Sequence, residues 1–235
     1  MAQQDAPIVI EFFHDALSAW CYKASERLRA LVAADPQVRV IQRCFPLATE
    51  PAFFSRLFPN KQEAKQEVVM VHWADARDFE PDPRIDCEAM MQADFDYPYS
   101  LPNLLGAKAA EMQGGQAAHW DFFDRVQRAH LSEARNIADW QVLRQCAVDV
   151  GLDAERWEAD RQTEHAWRLL EMDVEQAARY RVLRIPALVA DSGFHCPGLQ
   201  KSTLGHCIRE EVMQCFVEDL RRRRALGYSL PSRPE

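Results

Sequence analysis

The chain has 235 residues, 48% of them apolar and 27% charged, a balance that supports a large buried core and excludes a disordered or low-complexity protein. Its net charge of -8 argues against nucleic acid as a partner, because phosphate binding needs a concentrated excess of Lys and Arg. No stretch of about 18 apolar residues is present to cross a membrane, and no basic-then-apolar leader precedes the first apolar run, so a cytoplasmic protein without membrane contact is expected.

The run Ile8-Val9-Ile10-Glu11-Phe12-Phe13 predicts a first strand from about Pro7 to Phe13. A helix from Ser18 to about Ala33 follows, with Cys21, Ala24, Leu28 and Leu31 at helical spacing on one face, and Asp35-Pro36 ends it. A second strand, Val38 to Phe45, alternates at Val38, Val40 and Arg43, so the chain opens as β-α-β with a right-handed crossover between parallel strands. From about Pro51 to Tyr180 the pattern is helical, interrupted at Phe79 to Asp86 and again at Tyr97 to Pro102. The clearest helix there follows Asp139 as N-cap, carries Leu143, Cys146, Ala147 and Val150 on one stripe, and stops at Gly151; Asp153 caps the next.

Beyond this stretch, Ile185 to Ala190 reads as a strand that tolerates Pro186 near its start, Asp191-Ser192-Gly193 as a turn, and Phe194-His195-Cys196 as a short returning strand. A last helix, from about Ser202 to Arg224, places Leu204, Cys207, Ile208, Val212, Cys215 and Phe216 on one face, with Arg221 to Arg224 solvated at its end, where cations complement the helix dipole. A β-α-β unit and a β-β-α unit separated by helices predict an α/β protein of the thioredoxin fold with a large all-helical insertion. Residues 1–50 and 181–235 then form the thioredoxin-like domain and residues 51–180 the insertion.

Chemistry concentrates at Ser18-Ala19-Trp20-Cys21, which occupies the strand-to-helix turn where a thiol-disulfide enzyme carries Cys-x-x-Cys. The seven cysteines, Cys21, Cys44, Cys87, Cys146, Cys196, Cys207 and Cys215, are odd in number and scattered, which predicts mostly free, buried thiols rather than a disulfide scaffold. Ser18 can cap the helix or donate its O–H to a thiolate that a ligand brings, and His14 is the nearest candidate base. Cys21, one turn into the helix on its buried face, should react slowly alone; Cys196 is its candidate redox partner, if their Cα atoms come within about 7 Å. The pairs His195-Cys196 and His206-Cys207 lack zinc intervals, so no metal site is expected. His72-Trp73, His119-Trp120 and Trp167 read as core or groove lining.

Phe12-Phe13-His14-Asp15, Trp20-Cys21-Tyr22, Phe45 with Leu47, Asn136-Ile137-Ala138-Asp139, Ile185-Pro186-Ala187-Leu188-Val189 and Pro197-Gly198-Leu199-Gln200 together resemble the cytoplasmic DsbA-like branch of thioredoxin-fold proteins. That resemblance implies a Cys-Pro-Trp-Cys site, a cis-proline opposite it and a helical lid. Trp20 and Cys21 match the third and fourth motif positions, and Ser18 and Ala19 stand where the nucleophilic Cys and the Pro would be. Asp15 and Ser18 also reproduce the spacing of the kappa-class glutathione transferases and 2-hydroxychromene-2-carboxylate isomerases, whose serine hydrogen-bonds the glutathione sulfur. Pro197-Gly198-Leu199-Gln200-Lys201 departs from that branch's aromatic-Gly-x-Asp-Arg segment.

The resemblance therefore implies a member of the DsbA-like thiol-disulfide oxidoreductase family with a degenerate Ser-x-x-Cys site. Ser18 and Cys21 are the catalytic candidates, and Trp20, Ile185 and Pro186 line the substrate groove. The expected ligand is a thiol-containing peptide or small molecule; no cofactor is required, with glutathione as the candidate. The alternatives are a glutathione-dependent transferase or isomerase using Ser18, and a non-catalytic peptide-binding protein. A monomer or homodimer is expected.

Overall fold

The computed structural model describes residues 6–79, 81–190, 193–196 and 209–226. Strand β1 (Ile8–His14) is buried along its whole inner face, at Ile8, Ile10, Phe12 and His14, and Phe13 is buried on the other, because helices cover both faces of the sheet. Helix α1 (Ala19–Ala34) begins immediately after Ser18 and ends where the Asp35 N–H caps the Leu31 carbonyl. Strand β2 (Val38–Cys44) runs parallel to β1 in the register Ile8 to Val38 through His14 to Cys44.

Strand β3 (Ala187–Ala190) is antiparallel to β1, with Phe13 opposite Ala187, and β4 (Phe194–His195) is antiparallel to β3, giving the order β2-β1-β3-β4. This is the thioredoxin arrangement predicted from the two halves of the sequence. Around the sheet and the start of α6, three details differ from the sequence reading. Arg43 does not share the face of Val38 and Val40; Gln42 and Cys44 do, and Arg43 instead pairs with Glu11 and Asp173 at 2.7 and 2.9 Å. Ile185 and Pro186 lie before β3 rather than in it, joined by a cis peptide bond. Leu101 and Pro102 open a helix instead of interrupting one, as proline does at a first helical turn.

Between β2 and β3 the chain forms α2 (Phe53–Leu57), α3 (Lys61–Glu67), a π-helical turn (Val68–Trp73), α4 (Ala74–Phe79), α5 (Cys87–Gln92), α6 (Leu101–Leu131), α7 (Trp140–Asp149), α8 (Ala154–Asp160) and α9 (Glu164–Tyr180). Helix α6 breaks at Gly114 and Gly115, the latter at φ +65°, a conformation that only glycine adopts without strain. Its second half lies along α1: Arg29 pairs with Asp121 and Asp124, each at 2.8 Å, and Ser25 bonds Asp124 and Trp120. Helix α9 packs against β1 from the other side, through Tyr180 edge-on to Phe13 and its hydroxyl on Glu11 at 2.7 Å.

Helix α10 (Glu210–Ala225) buries Met213, Phe216, Val217 and Leu220. Its predicted start, with Leu204, Cys207 and Ile208, lies outside the described residues. Cys215, expected on the buried face, is exposed, because the core-facing stripe runs through Met213, Phe216 and Val217. The arginines at the helix end do more than meet the dipole: Arg221 pairs with Asp35, Arg223 lies 4.0 Å over the Phe194 ring, and Arg224 donates to the Ala6 carbonyl at 2.7 Å.

Candidate active site

The turn from β1 to α1 is organised by Asp15. Its fully buried carboxylate accepts the Leu17 N–H at 3.1 Å, the Leu47 N–H at 3.0 Å and the Asn103 amide at 3.4 Å, with the Ser100 hydroxyl as a further donor. Burial nevertheless pushes the Asp15 carboxyl above its usual range. Ser100 also accepts the Ala48 N–H at 2.8 Å, so one carboxylate and one hydroxyl tie the turn, the segment after β2 and the start of α6 together. Tyr97 adds a third tie: its hydroxyl donates to the Leu17 carbonyl at 3.0 Å and accepts from Trp73 Nε1 at 3.1 Å.

Ser18 follows at the N-cap of α1, partly exposed, with its N–H on the Asp15 carbonyl at 3.1 Å. Its Oγ accepts the Cys21 N–H at 3.4 Å, a long bond, while the Ser18 carbonyl takes the same N–H at 3.0 Å. From α6, Gln127 Nε2 donates to that carbonyl at 3.0 Å. Cys21 is fully buried, and burial pushes its thiol up to about 12 against the pull of the Ser18 hydroxyl. His14 is not a base for Ser18. Its ring is buried against Phe123 at 3.8 Å, neither nitrogen has a partner, and burial lowers its pKa well below the ordinary imidazole value.

Trp20 is half-buried and tilted against Phe79 at 5.8 Å, and the Arg209 guanidinium covers the Phe79 ring. Ile185 and the cis Pro186 precede Ala187, which is paired with Phe13 at the end of β1 that leads into the turn; no backbone hydrogen bond among the described residues engages Ile185. The Cys196 N–H bonds the Leu188 carbonyl at 2.8 Å, and Leu188 pairs with Phe12. Cys196 therefore lies two strand spacings from β1, about 10 Å. Cys21 is a free, buried thiol, as are Cys44, Cys87 and Cys146.

Beside the turn, a cavity of about 390 Å3 is lined by Phe54, Lys61, Tyr97, Tyr99 and Asn136 among others. Among the described residues no group of three His, Cys, Asp or Glu side chains could hold a metal ion; His206 and Cys207 lie outside them. Trp73 and Trp120 are buried in the core as read from the sequence, and His119 is buried with Nδ1 on Glu111 at 2.8 Å. Trp167 is exposed and lines neither core nor groove. The sequence reading had missed Tyr97, Ser100, Asn103 and Gln127; each sits on the insertion and meets the turn only in three dimensions.

The sequence profile of the thioredoxin family matches residues 12–195. The chain belongs to this family. Solved structures with this fold include DsbM of Pseudomonas aeruginosa, a cytosolic disulfide reductase determined with GSH, at TM-score 0.64 and 21% identity over 91% of this chain and 99% of that one. A 2-hydroxychromene-2-carboxylate isomerase follows at TM-score 0.62 and 14% identity, covering 94% and 100%. The oxidoreductase DsbA of Xylella fastidiosa gives 0.58 and 12%, covering 95% and 89%. At these identities the likeness is one of fold, and it is to DsbA-like members. Among curated relatives, the ClpXP adapter protein SpxH of Bacillus subtilis is 30% identical over 161 residues, 58% of this chain and 52% of the relative. The chain thus spans about half the length of the curated relatives it matches. No helix among the described residues is long and apolar enough to cross a membrane.

Proposed function

We propose that the protein binds the thiol of a small peptide or of a protein cysteine at the N-terminus of α1, and does not exchange disulfides with a thiolate of its own. The observation that carries this reading is the division of labour within the motif. The helix N-terminus, which would activate an attacking cysteine, holds the partly exposed Ser18, whereas the thiol that remains, Cys21, is buried with its pKa pushed up to about 12. At pH 7 such a thiol is ionised to about one part in 100,000, so a reactive sulfur has to come with the ligand.

In this reading the Ser18 O–H donates to the ligand sulfur, and the positive end of α1 stabilises it as a thiolate. An extended peptide backbone pairs with the unengaged Ile185 backbone, and Trp20 and Phe79 wall the groove. Glutathione is the first ligand to try, supported by the GSH-bound DsbM relative and by the isomerase likeness. A reducing cytoplasm, a monomer or homodimer, and residues 51–180 acting as one helical insertion complete the proposal.

Titration calorimetry tests it. Glutathione should bind more tightly than S-methylglutathione, and Ser18→Ala should weaken glutathione about tenfold; no heat from wild-type protein at millimolar glutathione rejects the reading. Wild-type protein should be inactive in insulin reduction, and activity there would overturn the role given to Ser18. A second reading, a non-catalytic peptide-binding protein, is favoured by the adapter name of the curated relatives. It predicts a bound peptide that Ile185→Pro weakens, by removing an N–H donor, and that Ser18→Ala leaves unchanged.

A further inference from the structure

Helix α6 meets α1 along a single antiparallel stripe. Asp121 and Asp124 engage Arg29 and Ser25 by side chain, and one turn further on Gln127 reaches the backbone of the N-cap itself, its Nε2 donating to the Ser18 carbonyl at 3.0 Å. That bond holds the carbonyl in place under the Cys21 N–H, which it accepts at 3.0 Å, while the same N–H reaches Ser18 Oγ only at 3.4 Å. The Ser18 hydroxyl is thus only weakly committed to capping.

Gln127 is fully buried, yet its Oε1 has no partner. A buried amide oxygen left unpaired costs folding free energy, and a methionine would fill the same space without that penalty. Places where a local packing rule is broken are where functional or strained groups are expected. We infer that Gln127 is a positioning residue, through which the helical insertion fixes the Ser18 N-cap so that its hydroxyl faces the ligand sulfur. The inference rests on the thiol-binding reading for its purpose, but its geometry can be tested apart from it.

Ser18→Cys puts a reporter thiol at the N-cap, and its alkylation rate is followed from pH 5 to 9 with and without Gln127→Met. With Gln127→Met the pKa of the introduced thiol should rise by about one unit, moving the whole alkylation profile up by about one pH unit, while the thermal midpoint stays equal or increases. An unchanged pH profile, or a changed profile accompanied by a lower midpoint, overturns the inference. In the Ser18 protein, Gln127→Met should weaken glutathione about tenfold and leave S-methylglutathione unaffected; equal weakening of both ligands overturns it as well. Should wild-type protein bind neither ligand, the thiol-binding reading alone fails, and the alkylation profile still decides the role of Gln127.

Discussion

Asp15 shows how much of the site rests on single side chains. Its carboxylate is held in the core by two backbone N–H groups, an amide and a hydroxyl. Asp15→Asn would turn an N–H toward one of those donors, which should destabilise the fold by about 2–3 kcal/mol in chemical denaturation; a loss under 0.5 kcal/mol would mean that the turn is held elsewhere. Cys21 should resist alkylation at pH 7 in the folded protein and react only on unfolding, which mass spectrometry of iodoacetamide-treated samples would report. Ser18→Cys should raise insulin-reductase activity above that of the natural protein, because it restores a thiol at the helix N-terminus. An inactive but folded variant would show that Cys21 is too deeply buried to resolve a mixed disulfide.

At the scale of elements, the insertion is joined to the thioredoxin core through α6. Its first half carries Gly106, where an added Cβ would lie 2.7 Å from Trp157 and 2.9 Å from Phe122, and Trp157 Nε1 donates to the Gly106 carbonyl at 2.8 Å. Gly106→Ala should therefore cost about 1–3 kcal/mol, despite alanine's better helix propensity, by forcing α8 away from α6; a gain in thermal midpoint would contradict this packing. The helix around Leu143 and Cys146 was legible in the sequence because capping and periodicity are local signals. The kink at Gly114 was not. Just beyond it, Gln116 Oε1 accepts the Gln42 N–H at the β2 edge, a contact that spans 74 positions of chain.

Among the described residues, three histidines are fully buried. His14, His119 and His130 all have lowered pKa values, His130 to about 3, with burial as the leading cause. Between each ring's lowered folded-state pKa, about 3 for His130, and about 6.5 the unfolded chain binds more protons than the folded one, so stability falls as the pH drops below 6.5, by up to about 1.4 kcal/mol per unit for each group. The raised carboxyls of Asp15 and Asp124 act in the opposite sense, at lower pH. Denaturant midpoints should be clearly lower at pH 5.5 than at 7.5, and a flat profile across that range would show that these rings are charged or solvated.

The sequence by itself determined the strand order of events, the Ser-x-Trp-Cys turn, the caps Ser18, Asp139 and Asp153, and the family, because each depends on residues within a few positions of one another. It could not decide which groups hold the turn. Tyr97 reaches Leu17 across 80 positions, Asn103 reaches Asp15 across 88 and Gln127 reaches Ser18 across 109, and contacts at such separations leave no periodic trace. Nor could it decide that Cys21 is an unreactive thiol and His14 an unpartnered, neutral ring. Those are consequences of desolvation, which exists only once α6 and the sheet have closed over them.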